Sequence, residues 1–143
     1  MTDKMQSHEG GCLCGEVRYR AKPPLREVVF CHCSQCRKQT GLYVAATAVP
    51  QTHFVLLTSA SLRWYAASAH AQRGFCSTCG ALLFWKPDHG DYISILAGSL
   101  DDPTVLTAGF HICTAGRAGF YAITDGLPQY DHGAPELPIA DTT

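Results

Sequence analysis

Cys31-His32-Cys33-Ser34-Gln35-Cys36 puts three thiols within six residues. Two further motifs flank it in the chain, Gly11-Cys12-Leu13-Cys14-Gly15 and Cys76-Ser77-Thr78-Cys79-Gly80. With Cys113 they make up eight cysteines in 143 residues. The stretch Met1-Thr2-Asp3-Lys4-Met5-Gln6-Ser7-His8-Glu9 has no apolar core of a secretory signal, which predicts a cytoplasmic protein with reduced thiols. Clustered cysteines in such a compartment read as metal ligands or redox thiols rather than as a disulfide framework.

Between and around the motifs the chain reads as short strands rich in Val, Ile, Tyr, Phe and Trp, separated by Gly, Pro, Asp and Ser. The expected strands lie near 16–20, 27–31, 43–48, 54–57, 62–65, 72–75, 81–85, 92–96 and 109–112. Helix is scarce. One short helix is expected over 34–39, stopped by Gly41, and a turn over 99–103. The predicted fold class is mainly β: one domain over 8–130, with cysteine clusters on its turns, and an extended tail over 131–143.

Composition bounds the function. Hydrophobic residues are 46% and charged residues 16%, sufficient for a packed core and incompatible with wholesale disorder. Eleven Lys and Arg against twelve Asp and Glu give a net charge of -1, which offers no electrostatic footprint for nucleic acid or an anionic membrane. No apolar run approaches the ~18 residues of a membrane span.

The cysteine spacing carries the chemistry. Sulfurs around a tetrahedral zinc, with Zn–S near ~2.3 Å, lie roughly 3.8 Å apart. A C-x-x-C turn reaches that separation, and C-x-C does so when kinked. Gly15 and Gly80 follow the second cysteine of their motifs, where a positive φ costs glycine nothing. The count suggests two metals. Cys12, Cys14, Cys76 and Cys79 would close one site with four thiolates. Cys31, Cys33 and Cys36 would hold another with three and leave a fourth position open, the pattern of a catalytic zinc. Pairing Cys31 and Cys33 with Cys76 and Cys79 instead strands Cys36 and is less economical. A low-pKa redox pair beside Arg37 and Lys38 is the competing reading of the three-cysteine cluster. Isolated Cys113 reads as a small buried hydrophobe.

These residues resemble the glutathione-dependent formaldehyde-activating (GFA) family. The matching stretches are Gly10 to Tyr19, Cys31 to Arg37 with Gly41, Phe75 to Gly80, Ile95 to Asp101, Phe110-His111-Ile112, and Asp125-Gly126-Leu127-Pro128-Gln129-Tyr130. The resemblance implies a zinc-bearing "tent" fold of short antiparallel sheets. It aligns Cys12, Cys14, Cys76 and Cys79 with a structural zinc and Cys31, Cys33 and Cys36 with a catalytic one. It implies a carbon–sulfur lyase that reversibly forms S-(hydroxymethyl)glutathione, with a small thiol, glutathione, and an aldehyde as partners. Many relatives carry a bulky aromatic and a basic residue after His-Ile, where this chain reads Cys113-Thr114-Ala115-Gly116-Arg117.

Arg37 and Lys38 are candidates to orient the carboxylates of such a thiol. His32, His53, His70 and His111 are candidates for proton transfer, with His111 first. His32, between two ligands, is expected to point away from the metal. Trp64, Phe75, Phe84 and Trp85 are expected in the core. The same scaffold acting on another thiol, a non-catalytic zinc module for a protein partner, and a redox sensor are the rival functions. The oligomeric state is left open.

Overall fold

The computed structural model describes residues 6–134. Ten strands, one α-helix and four 3-10 turns are found among them. The strands are β1 (His8–Gly11), β2 (Arg18–Ala21), β3 (Val28–Cys31), β4 (Val44–Pro50), β5 (Phe54–Thr58), β6 (Leu62–Tyr65), β7 (Ala71–Cys76), β8 (Leu82–Pro87), β9 (Tyr92–Leu96) and β10 (Ala108–Ile112). The helix is α1 (Ser34–Thr40). No described helix is long and apolar enough to cross a membrane. The expected tail, 131–143, lies outside the described residues from 135 onward.

A small sheet has the order β1-β2-β5, and a large one the order β10-β3-β4-β9-β8-β7-β6. Pairing is antiparallel throughout except between β10 and β3, which run parallel. That pair needs a long crossover, and most of the chain, residues 32–107, makes it.

The central strands β4 and β9 are buried on both faces. They therefore read as continuous apolar runs rather than as alternation. Tyr19 and Ala21 of the small sheet meet Val49, Leu83, Phe84, Ile93 and Ile95 of the large one in the main core. The rings of Tyr19, Phe54 and Phe84 are mutually in contact there. Of the four expected core aromatics, Phe84 and Trp85 are buried. Trp64 and Phe75 are half-buried, and Phe75 lines a surface cleft.

Strand β1 has no apolar pattern, and the reading from sequence does not contain it. Close approach makes it a strand. A Cβ on Gly10 would lie 2.4 Å from both the Ser99 carbonyl oxygen and the Tyr19 hydroxyl, so only glycine lets β1 sit against that ring. Outside, the Arg18 guanidinium holds both carboxylate oxygens of Asp101, at 3.0 and 2.5 Å.

A second core lies under β3, β4, β10 and α1. Val29, Val44, Ala46 and Ile112 there surround Cys31 and Cys36. The three-thiol cluster is thus part of a packed interior and not a surface loop.

Candidate metal centres

Two groups of thiols come together. The Sγ atoms of Cys12, Cys14, Cys76 and Cys79 all lie within 4.8 Å of one another, and so do those of Cys31, Cys33 and Cys36. The partition matches the spacing argument. Within the first group Cys12 and Cys14 are 3.6 Å apart, and Cys14 and Cys76 3.7 Å. Those are the separations a tetrahedral zinc requires, so the donors fit that ion in type, number and distance.

Two turns build the four-thiol group. Gly15 and Gly80 have φ of +84° and +80°, as the motif demands. Each turn aims backbone N–H groups at sulfur. Val17 N donates to Cys12 Sγ at 3.3 Å and Cys79 N to Cys76 Sγ at 3.4 Å. The Ala81 amide, followed by that of Cys14, pulls the Cys79 thiol down to about 6, which favours the thiolate that a metal needs. Glu16 ties the two turns together, accepting from Thr78 Oγ1 at 2.9 Å and from the Ser61 hydroxyl. Those bonds hold its carboxyl below the usual range.

The three-thiol group sits where β3 ends and α1 begins. Cys33 is the N-cap of α1, its Sγ accepting from Cys36 N at 3.3 Å. Gly41, at φ +96°, terminates the helix with its N–H on the Arg37 carbonyl. Cys31 and Cys36 are buried and Cys33 half-buried. Cys113 is not the isolated hydrophobe of the sequence reading. Its thiol lies against Cys31, and hydrogen bonding to Cys113 is the first of the causes that push the Cys31 thiol up.

Arg73, to which the sequence reading assigned no role, reaches this group from β7. It is 3% exposed. Its Nη1 and Nη2 are each 3.6 Å from Cys36 Sγ. The same atoms donate to Gln39 Oε1 at 3.1 Å and Gln35 Oε1 at 3.2 Å. Three thiolates around a divalent ion carry a net charge of about -1, and a buried guanidinium in contact offsets it. The Cys36 thiol is pulled down by its hydrogen bond with Cys31 but raised more by Cys33 and burial, to about 12, with the Arg73 charge opposing the rise.

His32 turns to the other side of β3, as expected. Its Nε2 is 2.8 Å from His111 Nδ1, and His111 Nε2 is 2.8 Å from an Asp125 carboxylate oxygen. A carboxylate only accepts, so His111 donates from Nε2 and His32 donates to His111 Nδ1. Both ring nitrogens of His111 are thereby occupied, and it is 1% exposed. It is held within the packed interior by these two contacts. Burial first, then neighbouring His111, lowers the His32 imidazole to about 4. Tyr43 and Tyr121 flank His32. His111→Ala should destabilise the fold by ~1–3 kcal/mol, because it leaves the buried His32 N–H without an acceptor; denaturant unfolding checks this.

Two surface clefts lie beside the thiol groups, one reaching Cys12 and the other Arg73. A broad one, about 1030 Å³, runs past Cys12, Gln39, Tyr43, Leu82 and Asp101. A smaller one, about 290 Å³, is lined by Lys38, Gln39, Tyr65 and Arg73. Lys38 thus faces a cleft, whereas Arg37 lines neither. No histidine lines either of them, His53 and His70 included.

The family model of the glutathione-dependent formaldehyde-activating enzyme matches residues 7–116. An uncharacterized lyase of Schizosaccharomyces pombe is 30% identical over 86 residues, which cover 60% of this chain and 62% of that protein. The crystal structure of a Rhodobacter sphaeroides protein superposes with a TM-score of 0.56 at 18% identity, covering 85% of this chain and 98% of that one. With three cysteine motifs folded into two thiol groups and most of the chain, residues 7–116, matched by the family model, the chain belongs to the glutathione-dependent formaldehyde-activating enzyme family.

Proposed function

We propose that residues 8–130 form a zinc-dependent carbon–sulfur lyase that makes and cleaves S-(hydroxymethyl)glutathione or a closely related thiol–aldehyde adduct. The curated relative carries the name lyase, which agrees with that reaction class. The observation that carries the reading is the convergence of Cys31, Cys33 and Cys36 within 4.8 Å of one another, with the Cys113 thiol against Cys31 but outside that mutual group. In this reading Cys12, Cys14, Cys76 and Cys79 hold a structural zinc, and the other three cysteines a catalytic one. A pure binding module needs only the first site.

A zinc bound by three thiolates is a weak Lewis acid and would supply an open position suited to a fourth, exogenous thiolate kept nucleophilic at neutral pH. The chain's own residues do the rest. Arg73 offsets the negative charge of the thiolates, and the apolar wall of Val44, Ala46 and Ile112 keeps bulk water from them. Lys38 and the edge of Arg73 face the smaller cleft, where a carboxylate of glutathione would find cations. The adduct oxygen exchanges its proton with solvent through these clefts, since His111 is fully engaged.

Among the described residues the broad cleft has Asp101, paired with Arg18, as its one charged lining residue. That favours a neutral portion of the thiol there, and it is the ground for a second reading in which a less anionic thiol replaces glutathione. NMR magnetisation transfer between formaldehyde and the hydroxymethyl adduct decides the question. The zinc-loaded protein should accelerate exchange over buffer with glutathione. Acceleration only with cysteine or other small thiols would support the second reading, and none with any thiol would end both.

A further inference from the structure

Seven of the eight cysteines belong to the two thiol groups, and the eighth, Cys113, stands beside one of them. Parallel pairing sets Ile112 opposite Cys31, and His32 N donates to the Ile112 carbonyl at 3.1 Å. One residue further along a neighbouring strand, Cα atoms lie about 6 Å apart, within the span of a disulfide. Strict alternation would turn the next side chain away from Cys31. Instead the chain leaves β10 at Cys113 with φ +56° and ψ +36°, the one non-glycine residue of positive φ among those described. The Cys113 thiol comes to lie against that of Cys31. The turn that follows is pressed onto the cysteine segment, since a Cβ on Gly116 would lie 2.9 Å from the His32 carbonyl oxygen. A non-glycine residue keeps such a backbone only where its surroundings impose it, and such residues cluster at functional sites.

We propose that Cys113 and Cys31 form a reversible disulfide that dismantles the three-thiol site. The proposal takes Cys31, Cys33 and Cys36 as zinc ligands but does not need the lyase reaction. Cys31 is 3% exposed, whereas Cys113 is half-buried and outside the ligand group. A hydroperoxide therefore meets the Cys113 sulfur first. That sulfur attacks a peroxide oxygen, the O–O bond breaks, and a sulfenic acid forms with release of water or an alcohol. The Cys31 sulfur then attacks the Cys113 sulfur. The S–S bond forms, the S–O bond breaks, and the hydroxyl leaves and takes up a proton to become water. The two sulfurs lose the two electrons that the peroxide gains. A disulfide sulfur is no thiolate donor, so only Cys33 and Cys36 remain for the ion. The four-thiol group has no neighbouring spare cysteine and keeps its own ion. Excess thiol reverses the step by exchange.

The test uses the full-length, zinc-loaded protein and hydrogen peroxide in small excess. Released zinc is read with a chromogenic chelator, and disulfides are mapped by mass spectrometry after alkylation and non-reducing digestion. One of two zinc equivalents should be lost, a peptide pair joined through Cys31 and Cys113 should appear, and dithiothreitol with added zinc should restore both. Cys113→Ser should keep both equivalents under the same treatment. A Cys33–Cys36 link in place of the Cys31–Cys113 one, or zinc loss from Cys113→Ser as complete as from the unaltered protein, would overturn the proposal. The mapping on the unaltered protein needs no variant to fold. Neither readout uses turnover, so the disulfide stands if thiol–aldehyde exchange is absent, and the lyase reading stands if the disulfide is absent.

Discussion

Cys76→Ser should lower zinc content from two equivalents to one and drop the thermal midpoint by roughly 10–20 °C. Cys76 is fully buried at the end of β7, and its sulfur lies 3.7 Å from Cys14, 62 residues earlier in the chain. A metal bridging those positions closes a loop of that length. Treated as a cross-link, such a closure is worth on the order of 4 kcal/mol through the unfolded chain. A typical domain has only ~5–15 kcal/mol in total, so the loss is a large share. The serine hydroxyl is a poor zinc ligand, and it leaves the Cys79 amide aimed at a weaker acceptor. Metal analysis beside calorimetry checks the expectation. Two retained equivalents with an unchanged midpoint would mean that the four thiols hold no ion.

Cys33→Ala should have the opposite profile: one zinc equivalent lost, the fold retained, and exchange reduced to the buffer rate. Cys33 is the least buried of its group, while Cys31 and Cys36 are packed among Val29, Val44 and Ile112. Removing its sulfur therefore leaves the second core filled. The price is the α1 cap, ~0.5–2 kcal/mol by analogy with oxygen caps, a few degrees of midpoint. Cys33→Ser separates the two effects, because it keeps a capping acceptor and weakens the metal site. If Cys33→Ala still catalyses exchange with one zinc bound, the chemistry is not at this cluster.

Most of this site was legible because its ligands announce themselves by spacing. Cys12, Cys14, Cys76 and Cys79 sit in turns whose glycines adopt the positive φ foreseen for them. The helix after Cys33 was also readable, since Gly41 marks its end. Strands β6 and β9 have the expected bounds, and the others differ by one or two residues at their ends. What escaped depended on long-range contact. Strand β1 is held by the fit of Gly10 against Tyr19, which no local pattern encodes. Arg73 reads as an ordinary surface cation in Arg73-Gly74-Phe75 until the fold sets it against Cys36. Cys113 looks isolated because its neighbour, Cys31, is far away in sequence, and the parallel register of Ile112 on Cys31 brings the two together. His111, the first candidate for proton transfer from sequence, is held by Asp125 and His32, which only the folded chain brings to it.

The parallel pairing of β3 with β10 has a consequence for the newly made protein. All ligands of the four-thiol site exist once Cys79 has been synthesised. The strand that ends in Cys31, by contrast, is flanked only when β10 arrives, and β10 is in turn fastened by the Pro128 carbonyl to His111 N and by the His132 carbonyl to Cys113 N. At ~5–20 residues per second, those last contacts emerge some ~3–10 s after Cys79. If the four thiols take an ion as proposed, they can do so before β10 is made, whereas the three-thiol pocket closes only after it.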